Sequence, residues 1–223
     1  MFKLLSFDVY GTLINTPPTV AKAFRAIVEE SGASNVDPIA FYHFWEARNI
    51  VHYREPYRSY KEISRISLEE TFREFGVVRG NGDLIERYFA MFAEMTLYPD
   101  VLPTLEQLSR THRLALVSNI DDDLLSATRL HREFDVVCTA ERARGYKPDG
   151  TLFRYLIAHA GVSLTEILHS GQSQFTDMVG GKPLGLTVAW INRRSIALHD
   201  SVPRPDHIFP DIASLLRLLD NAG

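Results

Sequence analysis

Apolar positions along this chain follow two rhythms. Short, nearly continuous runs of aliphatic and β-branched residues, each closed by a polar residue or a glycine, occur at "KLLSFDV" (3–9), "RLALVSN" (113–119), "FDVVCTA" (134–140), "EILHSGQ" (166–172) and "LTVAWIN" (186–192). Runs of this length, bounded by turn residues, predict strands buried on both faces. Between the later runs lie segments of helix length, from Asp121 to about Arg132, Thr151 to Ala160 and Phe175 to Leu184. Strand and helix in alternation predict an α/β fold, a doubly wound parallel sheet with helices on both faces. The stretch "DHIFPDIASLLRLL" (206–219) reads as a short edge strand followed by a closing amphipathic helix.

The region from about Thr16 to Met95 breaks this alternation. It offers no strand and four helical stretches. Pro18 can open the first, which ends before Gly32. Asp37-Pro38 has the pattern of an N-cap with proline at the first helical position and starts the second. "YKEISRISLEETFREFG" (60–76) makes a third, stopped by Gly76, and "DLIERYFAMFAEM" (83–95) a fourth. The expected organisation is an α/β core of residues 1–15 and 96–223, with an all-helical domain of residues 16–95 inserted after the first strand. No internal repeat or low-complexity tract interrupts either part.

Composition narrows the function classes. With 223 residues, 45% hydrophobic and 23% charged, the chain is long enough for a large core with a smaller companion. A net charge of −4 gives no basic surface for nucleic acid or an anionic membrane. The arginines near 142–144 and 193–194 are expected in solvated loops. No window approaches the eighteen or so apolar residues that span a bilayer. The first residues lack the apolar core and cleavage site of a signal peptide. The single cysteine, Cys138, fits a reducing compartment and sits where a buried inert thiol is expected. The cytoplasm is the expected location. A small molecule is the expected partner, and the sequence sets no oligomeric state, leaving a homodimer open.

In an open parallel sheet, ligands bind beyond the carboxyl ends of the strands, where strand order reverses. The first strand ends on Asp8, followed by Tyr10-Gly11-Thr12, and the second on Ser118-Asn119. The loop after the third holds Lys147 in "GYKPD", and the fourth ends on Gly171-Gln172-Ser173, with Asp177 about a turn later. Each residue alone has a structural explanation as a turn or cap residue. Their shared placement at strand ends is what points to chemistry. The eight histidines show no paired metal spacing and are given no catalytic role. Gly180-Gly181-Lys182 lacks the rest of a phosphate-loop pattern and is expected to serve helix-end geometry.

The order Asp8, Ser118, Lys147, Asp177, with "FDVYGTL" as its first motif and a helical insert after the first strand, resembles the haloacid dehalogenase superfamily of hydrolases across almost the whole chain. The resemblance implies a Rossmann-like core with a helical cap and nucleophilic catalysis by a carboxylate. Asp8 would attack carbon or phosphorus and form an intermediate that water cleaves. Lys147 would neutralise charge on Asp8 and Asp177, while Thr12 and Ser118 would supply hydroxyl hydrogen bonds. Two close carboxylates repel, so a cation between them keeps both ionised.

Tyr10 then carries information. Phosphatases of this superfamily usually hold a second Asp two residues after the nucleophile, which protonates a departing alkoxide; a halide leaves without a proton. Asp-x-Tyr-Gly-Thr resembles the 2-haloacid dehalogenase branch. The other reading of Tyr10 is a packed aromatic in a member with a different acid. The phosphatases also place an acid for Mg²⁺ after the fourth-strand glycine, where this chain has Gln172. Dehalogenases of this branch carry an arginine directly after a cap tryptophan, whereas here Glu46 follows Trp45, and Arg48, on one helical face with Asn49 and His52, is the candidate substitute. Where they carry Ser and Asn in the fourth motif this chain has Gln172 and Gln174, and Phe153 stands in place of a tyrosine.

The leading expectation is a hydrolase turning a short 2-haloacid into a 2-hydroxyacid without a cofactor. In it Asp8 displaces halide, Asn119 and Arg48 receive it, Asp177 activates water, and Tyr10, Gln172 and Ser173 contact substrate. The alternative is a phosphatase holding Mg²⁺ through Asp8 and Asp177. A catalytically silent binding protein is the third reading, opposed by the intact Asp8, Lys147 and Asp177.

Overall fold

A computed structural model describes residues 1–220. In chain order its strands are β1 (Leu4–Phe7), β2 (Ile14–Asn15), β3 (Thr96–Leu97), β4 (Arg113–Ser118), β5 (Val136–Thr139), β6 (Ile167–Gly171), β7 (Thr187–Ile191) and β8 (His207–Phe209). Its α-helices are α1 (Pro17–Glu30), α2 (Pro38–His52), α3 (Tyr60–Glu74), α4 (Glu86–Phe89), α5 (Val101–Leu108), α6 (Asp122–Ala127), α7 (Ala140–Ala143), α8 (Thr151–His159), α9 (Val179–Gly181) and α10 (Ser214–Asp220).

Six strands form one parallel sheet in the order β5-β4-β1-β6-β7-β8. The chain lays β1 in the middle, builds outward through β4 and β5, then crosses to the other side of β1 for β6, β7 and β8. The reversal therefore falls at β1, with the carboxyl ends of β4 and β6 on either side. Every residue of β1 and β6 is buried, as strands covered on both faces require. On one face Leu152, Phe153 and Leu156 of α8 pack with Ile167, Val188 and Trp190. On the other, Leu105 and Leu108 of α5 and Leu215 of α10 pack with Leu5 and Phe7, and that core runs on without interruption into α1–α4.

The helices between β2 and β3 form an aromatic cluster around Phe24, whose ring lies within 6.4 Å of those of Phe41, Tyr42, Trp45 and Tyr88. The expected caps are present. Asp37 accepts hydrogen bonds from the Ile39 and Ala40 N–H groups, and Ser59 from Glu62 N–H. β2 and β3 pair antiparallel at the two ends of this segment.

Three helices depart from expectation. The fourth inserted stretch is one turn of α-helix between two 3₁₀ turns, Gly82–Ile85 and Phe92–Glu94. Its buried positions 82, 85, 88, 89, 92 and 95 step largely by three, which suits three residues per turn better than 3.6. The helix expected from Asp121 to about Arg132 stops at Ala127. Thr128 turns extended there and its Oγ1 pairs with the Tyr10 hydroxyl. The segment 174–184 is a π-turn, a single α-turn and a 3₁₀ turn in series.

Candidate active site

The carboxyl ends of β1, β4 and β6 meet the inserted helices around a cavity of about 390 Å³. Asp8 lies at its floor, 8% exposed. Its backbone N–H extends the β1–β6 ladder to Ser170 O at 2.9 Å, fixing the carboxylate just past the last strand residue. The turn that follows brings Thr12 Oγ1 back to donate to Asp8 Oδ2 at 2.6 Å, and the same oxygen accepts from Gln172 N–H at 2.9 Å. One hydroxyl thus locks the Asp8 loop to the end of β6.

Lys147 is 1% exposed and its ammonium lies between two carboxylates. It donates to Asp8 Oδ1 and, at 2.8 Å, to Asp177 Oδ1. The Lys147 backbone N–H donates to Asn119 Oδ1 at 2.9 Å, so the loop carrying the lysine hangs on the end of β4. Asp177 is fully buried and takes further bonds from His169 Nε2, 3.0 Å, and Ser173 N–H, 2.9 Å. His169 Nδ1 pairs with Ser6 Oγ at 3.0 Å, and Phe153 sets its ring edgewise on the imidazole.

Two glycines make these approaches physically possible. A Cβ on Gly171 would lie 2.3 Å from the Asp177 carboxyl carbon, and one on Gly180 only 1.8 Å from the Lys147 carbonyl oxygen. Both contacts are shorter than any side chain tolerates. The role expected for Gly180-Gly181 therefore extends beyond ending a helix: α9 seats the lysine loop. The π-turn at 174–178 serves the same end, returning Asp177 to the Ser173 N–H four residues earlier.

Electrostatics within the cluster are uneven. Burial raises the Asp8 carboxyl above its ordinary value, the Lys147 ammonium opposes this, and the Asp177 charge adds to the rise. Burial would also raise Asp177, but the Lys147 charge and the hydrogen bond and charge of His169 outweigh it and hold that carboxyl well below the ordinary range. For Lys147 burial works against the charged form, and the two carboxylates overcome it, raising the ammonium's value. The result is an ionised anchor, Asp177, a permanent cation, Lys147, and a more readily protonated carboxylate, Asp8, facing the cavity.

The remaining expected residues divide into those at the cavity and those away from it. Tyr10, Ser118, Asn119, Gln172 and Ser173 line it. Burial pushes the Tyr10 hydroxyl far up, and it pairs with Thr128 Oγ1 at 2.8 Å while its ring meets Phe92 edgewise. Tyr10 is therefore both a packed aromatic and a wall. Ser118 Oγ is buried and has no hydrogen-bond partner among the described residues, a state costing about 1–3 kcal/mol unless a ligand relieves it. Asn119 has given its Oδ1 to Lys147 N–H, which leaves its NH₂ as the free end. Gln172 Oε1 accepts from Arg194 at 3.4 Å, and Gln174 holds the 197–199 loop through Ala197 O and His199 N–H.

Arg48 lies elsewhere. Its Nε donates to Glu70 Oε2 at 2.5 Å, His52 shares that carboxylate, and Arg48 is not among the cavity-lining residues. The expected substitution of Arg48 for a halide-receiving arginine is corrected by this pairing within the helical insert. Asp177 does not line the cavity either, standing behind Lys147.

Several partners escaped the sequence reading. His169 is buried on β6 beside Asp177, on a strand covered on both faces where periodicity marks no residue out. Arg193, expected in a solvated loop, donates to Thr12 O at 2.9 Å and grips Asp100 with both terminal nitrogens at 2.9 and 3.0 Å. Asp121 accepts from Tyr60 and Lys61 N–H at 2.8 and 3.0 Å, so the sheet side caps the first turn of α3. Tyr146 stacks on Tyr53 at 4.3 Å and donates to Arg58 O at 2.7 Å, tying the residue beside Lys147 to the insert. Cys138 is buried as expected, its thiol pushed up to about 12 by burial.

A family model described as haloacid dehalogenase-like hydrolase matches residues 5–191, which takes in β1, the insert, Lys147 and Asp177. The chain belongs to the haloacid dehalogenase-like hydrolases. This hydrolase is 27% identical over 198 residues to (S)-2-haloacid dehalogenase 4A of Burkholderia cepacia, covering 84% of this chain and 82% of that one. It is 25% identical over 236 residues to N-acylneuraminate-9-phosphatase of Homo sapiens, covering 96% and 92%. The L-2-haloacid dehalogenase of Xanthobacter autotrophicus superposes with a TM-score of 0.83 at 23% identity, over 99% of both chains. A magnesium-bound HAD-hydrolase of Bacillus subtilis shares the fold with a TM-score of 0.80 at 20% identity, over 98% and 99%. The hydrolase is thus related to the 2-haloacid dehalogenases, and the fold it shares with them is the doubly wound sheet expected from the sequence. No helix among the described residues is long and apolar enough to cross a membrane.

Proposed function

We propose that this hydrolase acts through a covalent intermediate on Asp8 and that its reaction is the hydrolytic dehalogenation of a 2-haloacid. The observation that carries the reading is the Asp8–Lys147–Asp177 cluster, with a partly accessible carboxylate at the cavity floor and a buried cation braced against it from behind. In the first step an Asp8 oxygen bonds to C2 of the substrate as the carbon–halogen bond breaks, and halide leaves with that electron pair. Asn119 NH₂ and Ser118 Oγ are uncommitted donors beside Asp8 and receive the negative groups. In the second step water adds to the Asp8 carboxyl carbon. Lys147 Nζ and Thr12 Oγ1, already aimed at the two carboxylate oxygens, stabilise the developing oxyanion. The ester C–O bond to the enzyme carbon breaks, the hydroxyacid departs with one Asp8 oxygen, and a proton is released to solvent. Asp177 positions Lys147 in this scheme; its burial and the three hydrogen bonds its carboxylate accepts favour that role over direct activation of water.

A magnesium ion is the requirement of the phosphatase alternative, and the donor set fits it poorly. The Lys147 ammonium occupies the space between Asp8 and Asp177, both Asp177 oxygens already accept hydrogen bonds, and Gln172 supplies an amide where a third carboxylate would complete a hard-ion site. No group of three His, Cys, Asp or Glu side chains placed to hold a metal ion occurs among the described residues.

A single turnover in ¹⁸O-water with EDTA present, enzyme in excess over 2-chloropropionate, tests both statements. The label is expected on Asp8, with the first-formed hydroxyacid unlabelled. Hydroxyacid labelled in that turnover means direct attack by water. Reaction abolished by EDTA and restored by Mg²⁺ sinks the metal-free reading.

The raised Asp8 carboxyl sets the acid limit. A nucleophilic carboxylate works ionised, so kcat/KM is expected to fall, as pH decreases, at a pH above the ordinary Asp value of 3.8. Thr12→Val removes a hydrogen bond that lowers this value, so the acid limb should move further up. A limb that stays put or moves down in the variant's pH profile would show that the hydroxyl does not govern Asp8.

A further inference from the structure

The α2 face toward the cavity carries Tyr42, Glu46, Asn49 and Tyr53, spaced four, three and four residues apart along one helical stripe. Tyr42 OH donates to Glu46 Oε1 at 2.8 Å, and this pairing uses only one of the carboxylate's oxygens. The nearest basic group to the other, Oε2, is the His43 imidazole, its Nδ1 at 3.8 Å. Asn49 is 2% exposed, and its Oδ1 has no hydrogen-bond partner among the described residues. A buried amide oxygen in that state calls for a donor that the protein does not supply. Glu46 Oε2 and Asn49 Oδ1 are both acceptors, three residues apart on the same stripe. Trp45, beside them, is no alternative donor, since its Nε1 is committed to Ser64 O at 2.9 Å.

This chemistry does not suit the acidic end of a haloacid. A carboxylate placed here meets the like charge of Glu46 and offers no hydrogen to Asn49. The donors free to receive negative groups, Ser118 Oγ, Asn119 NH₂ and the Arg194 guanidinium, belong to the sheet side of the cavity. The two walls are therefore of opposite character: donors beside Asp8, acceptors on α2. A cavity of about 390 Å³ also falls in the range that holds drug-sized ligands, well beyond what a three-carbon acid fills.

We propose that Glu46 and Asn49 form a second subsite that takes a hydrogen-bond-donating group, an amine or a hydroxyl, carried on a substrate tail remote from the reacting carbon. The substrate class is then a functionalised acid with an anionic reacting end and a donor-bearing tail. This deepens the proposed reaction and rests on Asp8 marking the reacting end, but recognition by α2 can be tested apart from chemistry.

Three unreactive probes share one ring and differ in their head group: benzylamine, benzyl alcohol and benzoate. Calorimetric titration of the full-length protein is expected to rank benzylamine and benzyl alcohol above benzoate. The cation should lead by about tenfold or more, the effect of one charge-assisted hydrogen bond. Glu46→Gln, isosteric and half-exposed, should lower benzylamine affinity by about the same factor and leave benzyl alcohol less affected. Asn49→Leu should weaken both donors. Because this buried change can disturb folding, Asn49→Asp serves as the second variant, and its added charge should favour benzylamine further. Benzoate binding best, or an order of affinities unmoved by Glu46→Gln, overturns the subsite. Halide release from 2-chlorohexanoate and 2-chloro-6-aminohexanoate reports separately on the reaction. Absence of release from both refutes dehalogenation while the probe affinities still decide the subsite.

Discussion

Asp8→Asn is expected to lower turnover by about 10⁴-fold or more while leaving the protein folded and no less stable at neutral pH. The two halves of this expectation share one cause. In the proposed mechanism Asp8, the cavity-facing carboxylate braced by Lys147, supplies the oxygen nucleophile, so its loss removes the covalent route. Yet burial and the neighbouring Asp177 charge raise its carboxyl in the folded state despite Lys147. In the window between the ordinary value of 3.8 and that raised value, the folded state binds more protons than the unfolded one. Stability contributed by this group therefore falls as pH rises through the window. An amide of the same shape carries no such penalty. The variant should match the wild type in acid and gain on it as pH approaches neutrality, as read by thermal melts across pH. Activity within tenfold of wild type would remove Asp8 from the mechanism. A neutral-pH melting temperature well below wild type would mean that Lys147 depends on Asp8 more than on Asp177.

Lys147→Met should do the opposite to stability. The substitution leaves Asp8 and Asp177 buried beside each other without their cation, a change of the kind that costs about 3–5 kcal/mol, along with loss of activity. Asp177, whose folded value lies below its unfolded one, contributes stability that is present above the unfolded value and lost as pH falls through the folded one. That contribution depends on Lys147. The gap between wild type and variant should therefore be wide at pH 7 and narrow near about pH 4, where the unpaired carboxylates of the variant protonate. Urea unfolding at the two pH values measures it, and an equal gap at both would show that packing of the lysine stem, not its charge, holds the loop.

Much of this cluster was legible in the chain because parallel strands advertise their ends. An apolar run that stops on Asp8, another on Ser118-Asn119 and a third on Gly171-Gln172 place their polar residues at one edge whatever the loops do. The sheet order needed only the β/α alternation. What was not legible depended on direction rather than on position. Arg48 stands three residues from Trp45, which lines the cavity, yet the Arg48 guanidinium turns to Glu70 of α3 instead. Tyr42, Glu46 and Asn49 face the same cavity, and no periodicity within α2 says which of its residues the sheet side will meet. His169 escaped because a lone histidine in a strand is usually core, and its partner Asp177 is brought to it by a π-turn that leaves no periodic trace. The fourth inserted helix failed for a related reason: Tyr88, Phe89 and Phe92 needed burial together, and a tighter winding met that need.

The central place of β1 has a consequence for the making of the protein. Its partners are β4, beginning at Arg113, and β6, beginning at Ile167. At ribosomal rates this wholly buried strand waits roughly 5–20 s for its first neighbour, over about a hundred further residues. Helices α1, α2 and α3 find their mutual contacts well before then. The nascent chain thus carries a wholly buried strand unpaired while the insert is made, and Asp8 meets Lys147 and Asp177 only about 140 and 170 residues after it is itself synthesised.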